Sequence, residues 1–118
     1  MQRFLLRSKL HRLTVTERNI EYEGSLTLDA DLLSASDIVA GEKVHVVNVN
    51  NGARFETYVL KGKPGSGVVC LNGAAARLAE VNDLIIVIAY GVAEESEIKG
   101  FKPKIVFVDA KNKIRKVV

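Results

Sequence analysis

The chain of 118 residues has one cysteine, one methionine, two prolines and no tryptophan. A lone Cys70 excludes an internal disulfide framework and fits a reducing compartment, which points to the cytoplasm. In the apolar run "GVVCLN" it reads as a small buried hydrophobe. Aromatic residues are only 6% of the chain, which leaves few stacking platforms for single-stranded nucleic acid. Long apolar runs are missing as well. Phe4-Leu5-Leu6 is broken by Arg7 and Lys9, too short for a signal peptide, and "LIIVIAY" at 84–90 is far short of a membrane span. His11, His45 and Cys70 lack the local spacing of a zinc site. Neither G-x-x-x-x-G-K-[ST] nor G-x-G-x-x-G occurs, and there is no nucleophile elbow.

What remains is an ordinary globular composition, 47% apolar and 26% charged. A chain of this length is one domain, and it can bury about two-thirds of its unfolded surface. The net charge of +3 suits an anionic small substrate or nucleic acid. Basic residues are dispersed except in "KNKIRKVV", which reads as a solvated, frayed tail.

The periodicity is mostly that of strands. "SKLHRLTVTE" alternates, which would place Lys9, His11, Leu13 and Val15 on one face. Asp29 is placed to cap a short helix, "ADLLSASDI". "EKVHVVNVNNGARFETYVL" reads as two strands joined at Asn50-Asn51-Gly52. After a turn at "KPGSG" come the strand "VVCLN", a helical turn at "GAAARLA" and a buried strand, "NDLIIVIAY". "AEESEIKGFKP" is a loop or short helix, and "KIVFVDAKNKI" a last strand running into the tail. Many short strands with close turns argue for a mainly β fold, a small closed barrel with short helices.

Two chemistries fit that frame. In the first the protein only binds: Arg54, Phe55 and Tyr58 form the tight basic-aromatic cluster that a nucleic acid or a partner protein would use. In the second, the bond between Gly24 and Ser25 in "YEGSLTLD" is itself reactive. A serine hydroxyl can attack the carbonyl that precedes it, turning the amide into an ester. Elimination then gives dehydroalanine, and hydrolysis a pyruvoyl group. The reaction needs a strained turn, a donor for the oxyanion and a base. Glycine permits the backbone angles and uncovers the carbonyl. The dipeptide alone reads as a hairpin corner, since Gly65-Ser66 repeats it in a plain turn.

"KLHR" at 9–12, "YEGS" at 22–25, "NNGARFETY" at 50–58 and "LNGAAAR" at 71–77 occur in that order, with "NDLIIVIAY" after them. Together they resemble the pyruvoyl-dependent aspartate decarboxylases over about residues 1–108. The resemblance implies a double-psi β barrel and a homotetramer with active sites between subunits, and it leaves room for a helper protein in maturation. It implies self-cleavage of the single domain 1–118 into a β chain, 1–24, and an α chain, 25–118. It implies decarboxylation of L-aspartate to β-alanine and CO2 for pantothenate and coenzyme A synthesis, with no metal, no pyridoxal phosphate, no nucleic acid and no membrane. Ser25 would become the covalent pyruvoyl cofactor that carries the Schiff base. Tyr22, Gly24, Thr57 and Asn72 match positions around the cleavage. Tyr58 matches the proton donor, a role open to a phenol because it holds its proton at neutral pH. Lys9, Arg54, Thr57, Gly73, Ala74 and Ala75 match substrate-binding positions, and His11 is left a supporting role. Arg54 can grip a carboxylate through two parallel hydrogen bonds, and the firmest grip belongs on the carboxylate that stays. One tension follows. Thr57 and Tyr58 are neighbours in a strand and should point to opposite faces, so a shared site needs a bulge or a place where both faces matter.

Overall fold

The computed structural model describes residues 1–118. It is mostly β, as its alternating sequence predicts. The strands are β1 (Gln2–Thr14), β2 (Glu17–Asn19), β3 (Leu26–Asp29), β4 (Lys43–Asn48), β5 (Arg54–Gly62), β6 (Val69–Asn72), β7 (Leu84–Glu94), β8 (Lys104–Val108) and β9 (Ile114–Val117). Two short α-helices, α1 (Ala30–Ser36) and α2 (Glu95–Ile98), and a 3₁₀ helix (Gly73–Leu78) complete it. The sheet order is β2-β6-β3-β5-β4-β7-β1-β8-β9. β1 and β2 are one nearly continuous segment that pairs with β7 at one end and β6 at the other. Between them, Val15 N–H donates to Asp83 O and Thr16 N–H to Val69 O, each at 2.9 Å. One segment thus meets both flanks of the β6-β3-β5-β4-β7 run, the pairing pattern that a small barrel requires. No helix is long and apolar enough to cross a membrane.

The core takes its side chains from alternating positions: Leu26 and Leu28, Val44 and Val46, Val59, Val69 and Leu71, Ile85 and Val87 are fully or almost fully buried. β1 departs from simple alternation. Leu10 and Leu13 are both buried, with a register shift between them and Arg12 at φ 58°. This bulge resets the pleat, so Lys9 and His11 do not share the buried face of Leu13 and Val15. The expected common face is corrected by one inserted residue.

Asp29 caps α1 as expected: its carboxylate accepts from Asp31 N–H at 2.8 Å. It also accepts from Gly65 N–H at 3.0 Å and Gly67 N–H at 2.7 Å, tying the helix to the "KPGSG" turn. Burial pushes its carboxyl up, but these three donors and the nearby Lys113 outweigh it, and the group ends below the usual carboxylate range. The hairpin at Asn50–Gly52 forms with Gly52 at φ +77°.

The tail is exposed but not frayed. β9 pairs antiparallel with β8, and the turn before it is anchored by buried Asn112. Its Oδ1 accepts from Thr14 N–H at 2.8 Å, and its Nδ2 donates to Thr14 O and Gly67 O, each at 2.9 Å. Three hydrogen bonds from one buried amide hold a segment whose own side chains are solvated.

Candidate active site

Between β2 and β3 the chain makes a tight reversal. Tyr22 N–H reaches Asn19 O at 3.3 Å, and Gly24 N–H reaches Tyr22 O at 2.9 Å, a three-residue turn. Gly24 follows at φ +62° and Ser25 at φ +95°. The first angle suits glycine. The second lies where side chains are rarely found, so Ser25 carries backbone strain held in place by its neighbours. Apart from its own two chain neighbours, nothing lies within 4 Å of a Cβ built on Gly24, so conformation and not space calls for glycine there.

Gly73 has the opposite reason. A Cβ on it would lie 2.4 Å from Gly24 N, 2.7 Å from Gly24 Cα and 2.9 Å from Tyr22 O. Its bare backbone lets the start of the 3₁₀ helix press against the turn. Asn72, buried at the end of β6, completes the clamp: its N–H donates to Ser25 O at 2.9 Å, and its Nδ2 donates to Ser25 Oγ and Thr27 Oγ1, each at 3.0 Å. From β5 the Tyr58 hydroxyl donates to Glu23 O at 3.2 Å. Ser25 is 1% exposed.

These elements surround a cavity of about 690 Å³. The turn contributes Tyr22–Ser25, β5 contributes Phe55–Tyr58, and the 3₁₀ helix contributes Gly73–Ala75. Tyr22, Gly24, Ser25, Thr57, Tyr58, Gly73, Ala74 and Ala75 thus converge on one place, with Asn72 beneath them. The tension over Thr57 and Tyr58 resolves without a bulge, since β5 keeps unbroken register with β4 from Arg54 to Tyr58. β3 joins the other side of β5 only from Val59 onward, so residues 54–58 present an open edge. At an edge, side chains of both faces reach the same space.

Lys9 and Arg54 are not brought in. Lys9 lies on β1 opposite Ile88 and Ile105, and Arg54 is exposed opposite Val47. The cavity of one chain instead carries two carboxylates that the sequence reading passed over, Glu23 and Glu56. The alternation of Arg54, Glu56 and Tyr58 along β5 was the signal for the second. Hydrogen bonding and charge from Lys43, whose Nζ lies 2.6 Å away, and then hydrogen bonding from His45 hold Glu56 below its usual range. A neighbouring groove of about 420 Å³, against Phe4, Tyr90 and Val92, meets the first at Glu56 but contains neither Gly24 nor Ser25. His11 lies away from the cavity, its ring edge-on to Phe107 with Nδ1 unpartnered; burial first, then Lys9 and Arg12, lower its pKa. No group of three or more His, Cys, Asp or Glu side chains converges to hold a metal ion.

Comparison with known proteins decides what this arrangement belongs to. The family model described as aspartate decarboxylase matches residues 1–115, past Asp109 and into the tail. The chain belongs to the aspartate decarboxylase family. It is 62% identical to the aspartate 1-decarboxylase of Acetivibrio thermocellus over 110 residues, 93% of this chain and 87% of that protein. It is 53% identical to the aspartate 1-decarboxylase of Thermoanaerobacter pseudethanolicus over 113 residues, covering 96% and 97% of the two chains. With that of Parabacteroides distasonis it shares 58% over 111 residues, 93% of this chain and 96% of the other. The aspartate decarboxylase match spans every element that lines the cavity, from the Gly24 turn through β5 to the 3₁₀ helix.

Proposed function

We propose that the chain is an aspartate 1-decarboxylase that activates itself by cutting the bond between Gly24 and Ser25. The observation that carries this reading is the Gly24-Ser25 pair in a strained turn at the cavity, with Asn72 on the serine oxygen at 3.0 Å. Ser25 Oγ adds to the Gly24 carbonyl carbon, and the C–N bond breaks to leave an ester and a free amine. Loss of the Ser25 α-proton expels the Gly24 carboxylate and leaves dehydroalanine. Water then replaces ammonia, and residue 25 becomes a pyruvoyl group at the head of 25–118, with 1–24 as the second chain. Asn72 Nδ2 steadies the serine oxygen as its proton leaves, and Thr57, which lines the cavity together with Gly24, is given a place beside the Gly24 carbonyl.

The surroundings of Ser25 fit such a group. It is compact and uncharged, and Gly73, Ala74 and Ala75, which line the same cavity, present only small side chains to it. A pyruvoyl group supplies an electron-withdrawing ketone that takes up the substrate amine and accepts the electron pair released with CO2. The chain's own side chains do the rest. Tyr58 delivers a proton to the α-carbon, its hydroxyl already held in the cavity by Glu23 O. Gly73–Ala75 let main-chain N–H groups approach the substrate. Arg54 and Lys9 bind the two carboxylates.

Since neither cation lines the cavity of one chain, we assign their delivery to a neighbouring copy in a homotetramer. The exposed cross-strand pair Phe4 and Val92, on a ribbon of β1 and β7 residues that pair only with each other there, supports an assembly. We place the enzyme in the cytoplasm, where Cys70 stays a thiol and β-alanine enters pantothenate synthesis.

Intact mass of purified protein tests the reading. Two chains are expected, the larger lighter by one ammonia than a serine-ended 25–118 fragment, with β-alanine and CO2 formed from L-aspartate. A single uncut mass that persists on warming, with no CO2 release, overturns it, as does decarboxylation surviving in Ser25→Ala.

A further inference from the structure

The Asn72 amide has two ends, and which one faces Ser25 decides what the serine can do. As placed, both N–H bonds of Nδ2 are used, on Ser25 Oγ and Thr27 Oγ1. Oδ1 points the other way, to Cys70 Sγ at 3.3 Å. Cys70 and Asn72 are two apart on β6, so their side chains share a face, and both are buried. No other donor to Oδ1 is present. Burial, then Glu17, push the Cys70 thiol up, which keeps its proton in place at neutral pH.

Turning the amide over would set Oδ1 against the two hydroxyls and the NH₂ group against sulfur, a poor acceptor. Ser25 would then donate its proton to an amide oxygen, which is too weak a base to remove it. The orientation seen does the reverse. It occupies one lone pair of Oγ, leaves the serine proton free to depart, and sets an N–H against the charge that develops on oxygen.

We infer that Cys70 is a positioning residue for self-processing: its S–H donates to Asn72 Oδ1 and fixes the polarity of the amide that holds Ser25. The inference rests on the cleavage reading above. The cysteine acts through Asn72; its hydrogen bonds go to Asn72 Oδ1 and, at 3.9 Å, to Leu71 O, not to Ser25 or Gly24.

Two variants, read against the wild type, separate this role from packing. Uncut Cys70→Ala, Cys70→Ser and wild-type precursors are warmed, and cleavage is followed by intact mass beside a thermal melt of each. Cys70→Ser keeps a donor and should cleave within about threefold of wild type, while Cys70→Ala should be slowed roughly tenfold, the scale of one lost hydrogen bond. A packing role predicts the opposite order, because a buried serine disturbs an apolar site more than alanine does. Cleavage of Cys70→Ala at the wild-type rate, or Cys70→Ser as slow as Cys70→Ala, overturns the inference and leaves the cleavage reading standing. A wild type that never cuts overturns both.

Discussion

Replacing Gly73 with alanine adds one methyl group where the structure has no room for it. The new carbon would sit 2.4 Å from Gly24 N and 2.7 Å from Gly24 Cα, both backbone atoms that cannot swing aside. Ordinary contact needs about 3.4 Å, so the Tyr22–Ser25 turn must recede by about 1 Å. The φ of +64° adds about 1 kcal/mol for any residue with a Cβ. Crowding adds about 1–3 kcal/mol, shared between the turn and the 3₁₀ helix. The larger effect is on chemistry. A reacting group displaced by about 1 Å loses roughly a hundredfold in rate, and Ser25 would move relative to Asn72. Precursor carrying Gly73→Ala should therefore fold, melt several degrees lower, and cleave about a hundred times more slowly by intact mass over time. Gly24→Ala is the control for strain alone: with nothing within 4 Å of its Cβ, it should lose only about 1 kcal/mol, a smaller drop in melting temperature. Cleavage of Gly73→Ala within a few-fold of wild type would refute the reasoning.

Other consequences can be measured on the same footing. Tyr58→Phe keeps the ring but removes the hydroxyl; self-cleavage should continue while CO2 release falls by about 10²–10³-fold, and a turnover within twofold of wild type would mean the proton comes from elsewhere. Asp29→Ala removes the α1 cap and strands the buried N–H of Gly67, costing about 3 kcal/mol in urea unfolding at pH 7. Because the folded Asp29 carboxyl lies below its usual range, its contribution is complete above the unfolded value near ~4 and is lost as pH falls through the folded one. The stability gap between wild type and Asp29→Asn should thus shrink below about pH 4, and a gap that stays constant would be wrong for this account. Asn112→Ala frees three backbone groups and should cost about 2–3 kcal/mol, with faster amide exchange in β8 and β9; unchanged protection there would show that the tail is held by its strand pairing alone.

The parts of this molecule that follow local rules were legible in its sequence. Asp29 before an apolar helix, Asn-Gly between two alternating runs and a small-residue turn after Asn72 each carry their own geometry. The failures share a cause of a different kind. At Arg12 one extra residue shifts the face of everything after it, and a bulge leaves no mark in a hydrophobicity pattern. The turn before β9 is anchored by Asn112 reaching Thr14, 98 positions away in the chain, so charge density alone suggested fraying. Within the candidate site, Ser25, Tyr58 and Gly73 were found through motifs carried by their resemblance to a family. Glu56 was missed because it looks like any exposed carboxylate on a strand. That β5 offers an open edge at Tyr58 is decided by where β3 starts, which no window of local sequence contains.

β6 lies between β2 and β3, pairing with Glu17–Asn19 on one side and Leu26–Leu28 on the other. It therefore splints the two ends that a break after Gly24 would create, and the severed pieces stay seated. The splint works only while the protein is folded. An uncut chain that unfolds can rebuild its own sheet alone, at a rate indifferent to dilution, before any copies assemble. A cut one falls into two molecules that must meet again, so recovery becomes second order and fades as the solution is thinned. Maturation would make unfolding, in practice, a one-way event.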